Sequence, residues 1–282
     1  MAQCAGFCYG VKRAVETTKK VKIENAAKKV WVLGELIHNS HVIKELEELG
    51  IMTVDDLPEN ESGICIVRSH GMAPQKIKEV EEKGFEVVDL TCLDVKKVQQ
   101  KAIQLAQEGF LVLILGKPEH PEVVAIKANA DMFSENVFVI PDMASLEKLS
   151  AKIKSIKRIG VVIQTTQKIE FLQEVVNYLI PIANELKVFN TICQSTAKRQ
   201  QEARELAKTS DLMIVVGGKN SANTTHLAEI LNEITTTIHI ETQEDLDEYK
   251  SIIEKSENIG VTAGASTPEN IIKNVINKLN EI

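Results

Sequence analysis

Short apolar runs alternate with amphipathic stretches along the whole chain. The runs at 30–33, 63–67, 85–88, 110–115, 159–163, 212–216 and 258–261 are brief and rich in Val and Ile, which predicts buried strands. Between them the apolar positions take helical spacing. Ile43, Leu46 and Leu49 share one face of 41–49, and Val98, Ile103 and Leu105 fit a helix over 95–107. Phe171, Val175, Tyr178 and Leu179 mark a further helix, as do Leu227, Ile230 and Leu231. Gly50, Gly84 and Gly109 stand where helices should stop. Strand–helix–strand alternation predicts an α/β fold with mostly parallel sheets.

A coarse repeat overlies this alternation. At 32–40, 114–122 and 215–223 a strand ends at Gly and runs into a polar loop that opens a helix. At 67–71, 163–167 and 261–268 a later strand ends in a second polar loop. Cys92 and Cys193 each close such a unit and Cys8 opens the chain, so the three thiols lie 84 and 101 residues apart. This predicts three similar α/β lobes, 1–92, 93–193 and 194–282, the last with a C-terminal helix. Ligands of open α/β sheets bind beyond the carboxyl ends of the strands, where all six loops lie. Lobes arranged around a common axis would bring the loops and the three thiols to one pocket.

Composition narrows the function. The net charge of −7, with no Lys/Arg block, argues against nucleic-acid binding. No apolar run approaches the ~20 residues that span a membrane. No basic-then-apolar leader is visible, so the cytoplasm is the expected location. Five cysteines, an odd number, argue against a disulfide framework.

Several residues carry candidate chemistry, each beside a plainer explanation. Cys8, Cys92 and Cys193 lack the close spacing of ferredoxins or zinc ribbons, yet three thiolates at equivalent positions suit a cluster with one metal corner open. Cys65 falls in a predicted strand and reads as a core thiol. His38, His70 and His120 sit in strand-end loops, where each could equally be a hydrogen-bonded structural histidine. Glu122 suits a helix first turn, or a proton donor. Ser221-Ala222-Asn223 and Ser266-Thr267-Pro268 read as helix N-caps, which also bind phosphate. The run Gly217-Gly218-Lys219-Asn220 is not a Walker loop, and no Gly-x-Gly-x-x-Gly follows a strand.

Taken in order, Gly6-Phe7-Cys8-Tyr9-Gly10, Ile37-His38-Asn39, Ser69-His70-Gly71, Asp89-Leu90-Thr91-Cys92, His120-Pro121-Glu122-Val123, Gln164-Thr165-Thr166, Thr191-Ile192-Cys193, Gly218-Lys219-Asn220-Ser221 and Thr262-Ala263-Gly264-Ala265-Ser266 resemble the LytB family of 4-hydroxy-3-methylbut-2-enyl diphosphate reductases over essentially the whole chain. The resemblance implies a trefoil of three α/β domains around a 4Fe-4S cluster with Cys8, Cys92 and Cys193 as ligands and one open iron. It implies that Glu122, Thr165 and His120 act on the substrate hydroxyl, with Glu122 the proton source. His38, His70, His120, Thr165, Ser221, Asn223 and Ser266 would contact the substrate. Ala222 stands where Ser is frequent, so its contribution would come from the backbone. The implied reaction is reductive dehydroxylation of an allylic diphosphate to isopentenyl and dimethylallyl diphosphate, the last step of the non-mevalonate (MEP) isoprenoid pathway. A ferredoxin or flavodoxin would supply electrons. A non-catalytic iron–sulfur sensor and a cluster-free phosphate-binding transferase are the competing readings.

Overall fold

The computed structural model describes residues 1–282 and contains three sheets. The first comprises β1 (Val30–Leu33), β2 (Ile51–Val54), β3 (Ile64–Val67) and β4 (Glu86–Asp89), in the order β2-β1-β3-β4. The second comprises β5 (Leu111–Leu115), β6 (Val137–Ile140), β7 (Arg158–Ile163) and β8 (Glu185–Phe189), in the order β6-β5-β7-β8. The third comprises β9 (Leu212–Val216), β10 (Thr236–Ile240) and β11 (Ile259–Ala263), in the order β10-β9-β11. The central pairs β1–β3, β5–β7 and β9–β11 are parallel, in registers that include Val30↔Ile64, Leu111↔Ile159 and Leu212↔Ile259.

The helices in chain order are α1 (Tyr9–Glu24), α2 (Ser40–Glu48), α3 (Pro74–Glu82), α4 (Leu93–Gln107), α5 (Pro121–Asp131), α6 (Met143–Lys148), α7 (Ser150–Ile156), α8 (Ile169–Leu179), α9 (Gln194–Ala207), α10 (Ala222–Asn232), α11 (Lys250–Ile253) and α12 (Glu269–Leu279). A 3-10 helix, Gln243–Tyr249, precedes α11.

Contacts divide the chain into two compact units. One is built from Met1–Lys20, Glu35–Ile51 and Gln194–Ile282, the other from Val21–Gly34 and Met52–Cys193. The second unit holds the first two sheets. Its β5–β8 sheet is covered on one side by α4 and α5 residues such as Val98, Leu105, Val123 and Ile126, and on the other by Leu146, Ile153, Leu172 and Val175. Burial on both faces is why β5 reads as an unbroken apolar run. In the first unit, Ile238, Leu246, Ile271 and Val275 pack around β9 and β11. Each such fully buried aliphatic side chain stabilises by roughly 1.5–3 kcal/mol relative to exposure.

All three sheets share one winding. The chain leaves its first strand to one side, returns, and pairs the third strand on the other side. That places a topological switch point between β1 and β3, between β5 and β7, and between β9 and β11. His38, His70, His120, Thr165, Ser221 and Ser266 all follow those six strands. The repeat read from the loops is thus a repeat of sheet topology. The strands missed by the apolar pattern are β2, β6, β8 and β10.

Candidate functional site

The unit containing Val21–Gly34 and Met52–Cys193 carries an acid with an unusual setting. Pro121 sits in the first turn of α5, and His120 caps the helix by accepting the Glu122 N–H at Nδ1, 3.1 Å away. In the neutral ring this makes Nε2 the nitrogen that bears hydrogen. Glu122 is 1% exposed. Its Oε1 accepts the Thr165 N–H at 2.7 Å and its Oε2 accepts the Thr165 hydroxyl at 2.8 Å. Burial pushes the carboxyl up to about 7, against the lowering pull of the two Thr165 bonds. A carboxyl poised there gives up a proton near neutral pH.

Thr165 connects in a second direction, since its carbonyl accepts the Cys193 N–H at 3.1 Å. Gln164, fully buried, braces the same turn through Nε2 to Thr166 Oγ1 at 3.2 Å. His70 and His120 meet edge to face, with ring centroids 5.5 Å apart. Gly71 follows His70 at φ +81, and an added Cβ would lie 2.7 Å from Gln99 Nε2, so the loop excludes a side chain there.

In the unit containing Gln194–Ile282, hydroxyl and amide groups crowd the open ends of β9 and β11. Ser221 occupies the N-cap position of α10 without making a side-chain capping bond. Asn223 is 7% exposed, and its Nδ2 has no hydrogen-bond partner within the protein. A buried amide left in that state costs free energy, which a ligand oxygen recovers. The Ala222 N–H belongs to the same helix N-terminus, where the peptide dipoles favour an anion. Ser266 Oγ donates to the His38 carbonyl at 3.1 Å, and His38 Nδ1 meets Glu35 Oε2 at 2.8 Å. The N-cap reading of Ser266 and Thr267 is corrected here: Pro268 is the N-cap of α12, and the Thr267 hydroxyl instead bonds the Val216 carbonyl at 2.9 Å.

The three repeat-positioned cysteines share one local setting. Each is half-buried, is in no disulfide and immediately precedes a helix: Cys8 before α1, Cys92 before α4, Cys193 before α9. Each donates its backbone N–H to a carbonyl of a strand-end loop: Cys8 to Ala265 at 3.1 Å, Cys92 to Ser69 at 2.9 Å and Cys193 to Thr165 at 3.1 Å. Cys4 and Cys65 differ. Burial pushes the Cys65 thiol up to about 11. Cys4 is also raised, first by burial and then by its bond to Glu202. Soft thiolates at helix N-termini fit an iron–sulfur cluster, whose anionic charge the helix dipoles favour.

Two partners escaped the sequence reading. Thr196 bonds Asn223 Oδ1 at 3.5 Å, and Arg199 is buried on the same helix, α9. Their helical spacing was visible in the chain, but polar residues give no apolar stripe to read.

Parallel α/β sheets whose switch-point loops carry an anion-binding helix end in one unit and a buried acid in the other, with three non-disulfide cysteines at helix starts, suit an enzyme acting on a phosphate ester. The family model of the LytB protein matches residues 1–280. A 4-hydroxy-3-methylbut-2-enyl diphosphate reductase of Pelobacter propionicus is 44% identical, over all of this chain and 97% of that relative. One of Trichlorobacter lovleyi is 43% identical, with the same coverage. A solved structure of (E)-4-hydroxy-3-methyl-but-2-enyl diphosphate reductase, the terminal enzyme of the non-mevalonate pathway, superposes with a TM-score of 0.73 at 38% identity, covering all of this chain and 98% of that one. The E-1-hydroxy-2-methyl-but-2-enyl-4-diphosphate reductase of Plasmodium falciparum superposes with a TM-score of 0.86 at 26% identity, over 97% of this chain and 85% of that one. This chain belongs to the LytB family.

Proposed function

We propose that Glu122, held by Thr165, is the proton source for the reductive dehydroxylation of 4-hydroxy-3-methylbut-2-enyl diphosphate. The chain is an oxidoreductase, and its products are isopentenyl and dimethylallyl diphosphate. The reaction breaks the allylic C–O bond and consumes two electrons and two protons. One proton leaves with the oxygen as water, and the other ends on carbon. Glu122 supplies the first at its carboxyl oxygen, because water is a far better leaving group than hydroxide. The buried carboxyl with its pKa near 7, bonded twice to Thr165, is the observation that carries this reading.

Cys8 and Cys92, at the two ends of the lobe 1–92, and Cys193, closing the lobe 93–193, would hold a 4Fe-4S cluster. When bound, such a cluster supplies electrons and an open iron with Lewis acidity toward the hydroxyl. His120 and Thr165 orient that hydroxyl against Glu122. Ser221, Asn223, the Ala222 N–H, Ser266, His38 and His70 receive the diphosphate. These are dipolar and imidazole donors, so a multiply charged anion binds a protein of net charge −7 without a basic patch. An external one-electron carrier of the ferredoxin or flavodoxin type would deliver the electrons.

Anaerobically prepared protein, given dithionite with a viologen mediator and the hydroxylated diphosphate, should release both five-carbon diphosphates. Binding without conversion by iron-loaded protein would overturn the proposal.

A further inference from the structure

Helix α9 buries a polar face made of Thr196, Arg199 and Gln200, continued by Ala203 and Ala207. Arg199 is 2% exposed. Burying a guanidinium at that depth is costly, and hydrogen bonds to its donors offset the cost. Two of them reach backbone carbonyls from distant parts of the chain. Nη1 donates to Ala263 at 2.7 Å and Nη2 to Gly6 at 2.8 Å. Ala263 ends β11, three residues before Ser266. Gly6 lies two residues before Cys8. One planar group therefore joins the turn carrying a proposed cluster ligand to the loop carrying a proposed diphosphate donor.

Neighbouring contacts reinforce the same junction. Glu202, one turn further along α9, accepts both the Cys4 N–H at 2.8 Å and the Cys4 thiol at 3.2 Å. The Ala2 N–H donates to the Val261 carbonyl at 2.9 Å. Gly6 adopts φ +93, and a Cβ there would lie 3.2 Å from Ile272 Cδ1 and 3.4 Å from the Thr267 carbonyl. That positive φ strains any residue with a side chain, so glycine suits the turn whose carbonyl Arg199 binds. The carbonyls bound by Arg199 are neutral, so the spread of its donors matters as much as its charge.

We infer that Arg199 is a positioning residue, whose fork fixes the Cys8 turn against the Ser266 loop so that thiol ligand and diphosphate grip keep one register. This rests on the iron–sulfur reductase reading. A lysine retains the charge, but its single nitrogen cannot span both carbonyls. Loss of the bridge releases the two loops from a common register, which predicts effects of about tenfold on both functions the loops serve. Proton delivery depends on Glu122 and Thr165, which Arg199 does not bond.

The test compares wild type, Arg199→Lys and Leu246→Ala after anaerobic reconstitution. Leu246 is a fully buried core residue of the same unit, remote in sequence from every site residue, so its truncation reports a general loss of stability. Iron loss to a chelator and steady-state kinetics are both measured. The expected result is about tenfold faster iron release and about tenfold higher KM in Arg199→Lys, with kcat within about twofold of wild type. Leu246→Ala should keep wild-type KM and iron retention once thermal unfolding is matched. Arg199→Lys indistinguishable from wild type, or from Leu246→Ala, would overturn the inference. A wild-type protein that takes up no iron and sulfide fails the underlying reading instead, before any variant is compared.

Discussion

Glu122 and Thr165 stand 43 positions apart in the chain and meet through two hydrogen bonds, of 2.7 and 2.8 Å. One comes from the Thr165 backbone and one from its hydroxyl, so both carboxyl oxygens are engaged. The carbonyl of the same threonine takes the Cys193 amide. A buried acid and a thiol-bearing loop are therefore linked through a single residue.

Replacing Glu122 by Gln preserves shape and removes the titratable proton. Turnover should fall by roughly 10²–10⁴-fold while bound iron and sulfide stay unchanged. Steady-state rates beside iron analysis check this, and near-normal turnover would dismiss Glu122 as proton source.

The same carboxyl couples stability to pH. Its pKa is raised from the ordinary 4.5 to about 7. Between those values the native state holds a proton that the unfolded chain has released. Stability of the metal-free protein therefore falls as pH rises from about 4.5 to about 7, by on the order of 3 kcal/mol from this group. Urea titrations across the window should show that slope in wild type and lose it in Glu122→Gln.

Thr165→Val removes the hydroxyl and leaves the backbone N–H. The lost bond had favoured the ionised carboxylate, so the pKa of Glu122 rises further. The alkaline limb of the pH–rate profile should move to higher pH, with a maximal rate about tenfold lower from poorer orientation. An unmoved limb would detach Thr165 from the acid.

Cysteine replacements should sort by position. Cys92→Ser should abolish the visible absorbance of the anaerobically prepared protein. Cys65→Ala should retain it and lose on the order of 1 kcal/mol of stability, since Cys65 is a sealed thiol in β3. Equal cluster content in both variants would refute the ligand assignment.

Asn223 offers a test of the diphosphate grip. Asn223→Asp sets a carboxylate against the anion and should raise KM by more than about tenfold. Asn223→Ala should also raise KM, yet change the stability of the free protein little, because its buried Nδ2 has no partner there and its Oδ1 holds only the long 3.5 Å bond from Thr196. Marked destabilisation by Ala would give Asn223 a structural role instead.

The pattern of apolar positions located β1, β3, β5, β7, β9 and β11 because those strands are buried on both faces, and it also located the edge strand β4 through Phe85, Val87 and Val88. It passed over β2, β6, β8 and β10, which lie at sheet edges and alternate partly exposed residues such as Thr53, Phe138, Lys187 and Thr237. The strand-end loops were legible through their glycines and polar runs. Their partners were not. Glu122 announced a helix start, but nothing in the chain says that Thr165 covers it. Arg199 carries a charge and sits in a polar helix, so its burial follows only from the carbonyls brought to it by Gly6 and Ala263.

Each of the proposed ligands Cys8, Cys92 and Cys193 is tied down by its own amide to a carbonyl of the protein, and hydrophobic cores underlie every sheet. Those bonds need no metal, so under the proposed reading the three turns should keep their form when the cluster is lost, unlike small zinc domains whose folding is driven by the ion. Oxidative destruction of the proposed cluster should then cost activity and leave the three sheets standing. Reloading under that reading would need only fresh iron, sulfide and electrons, with no refolding of the cysteine turns.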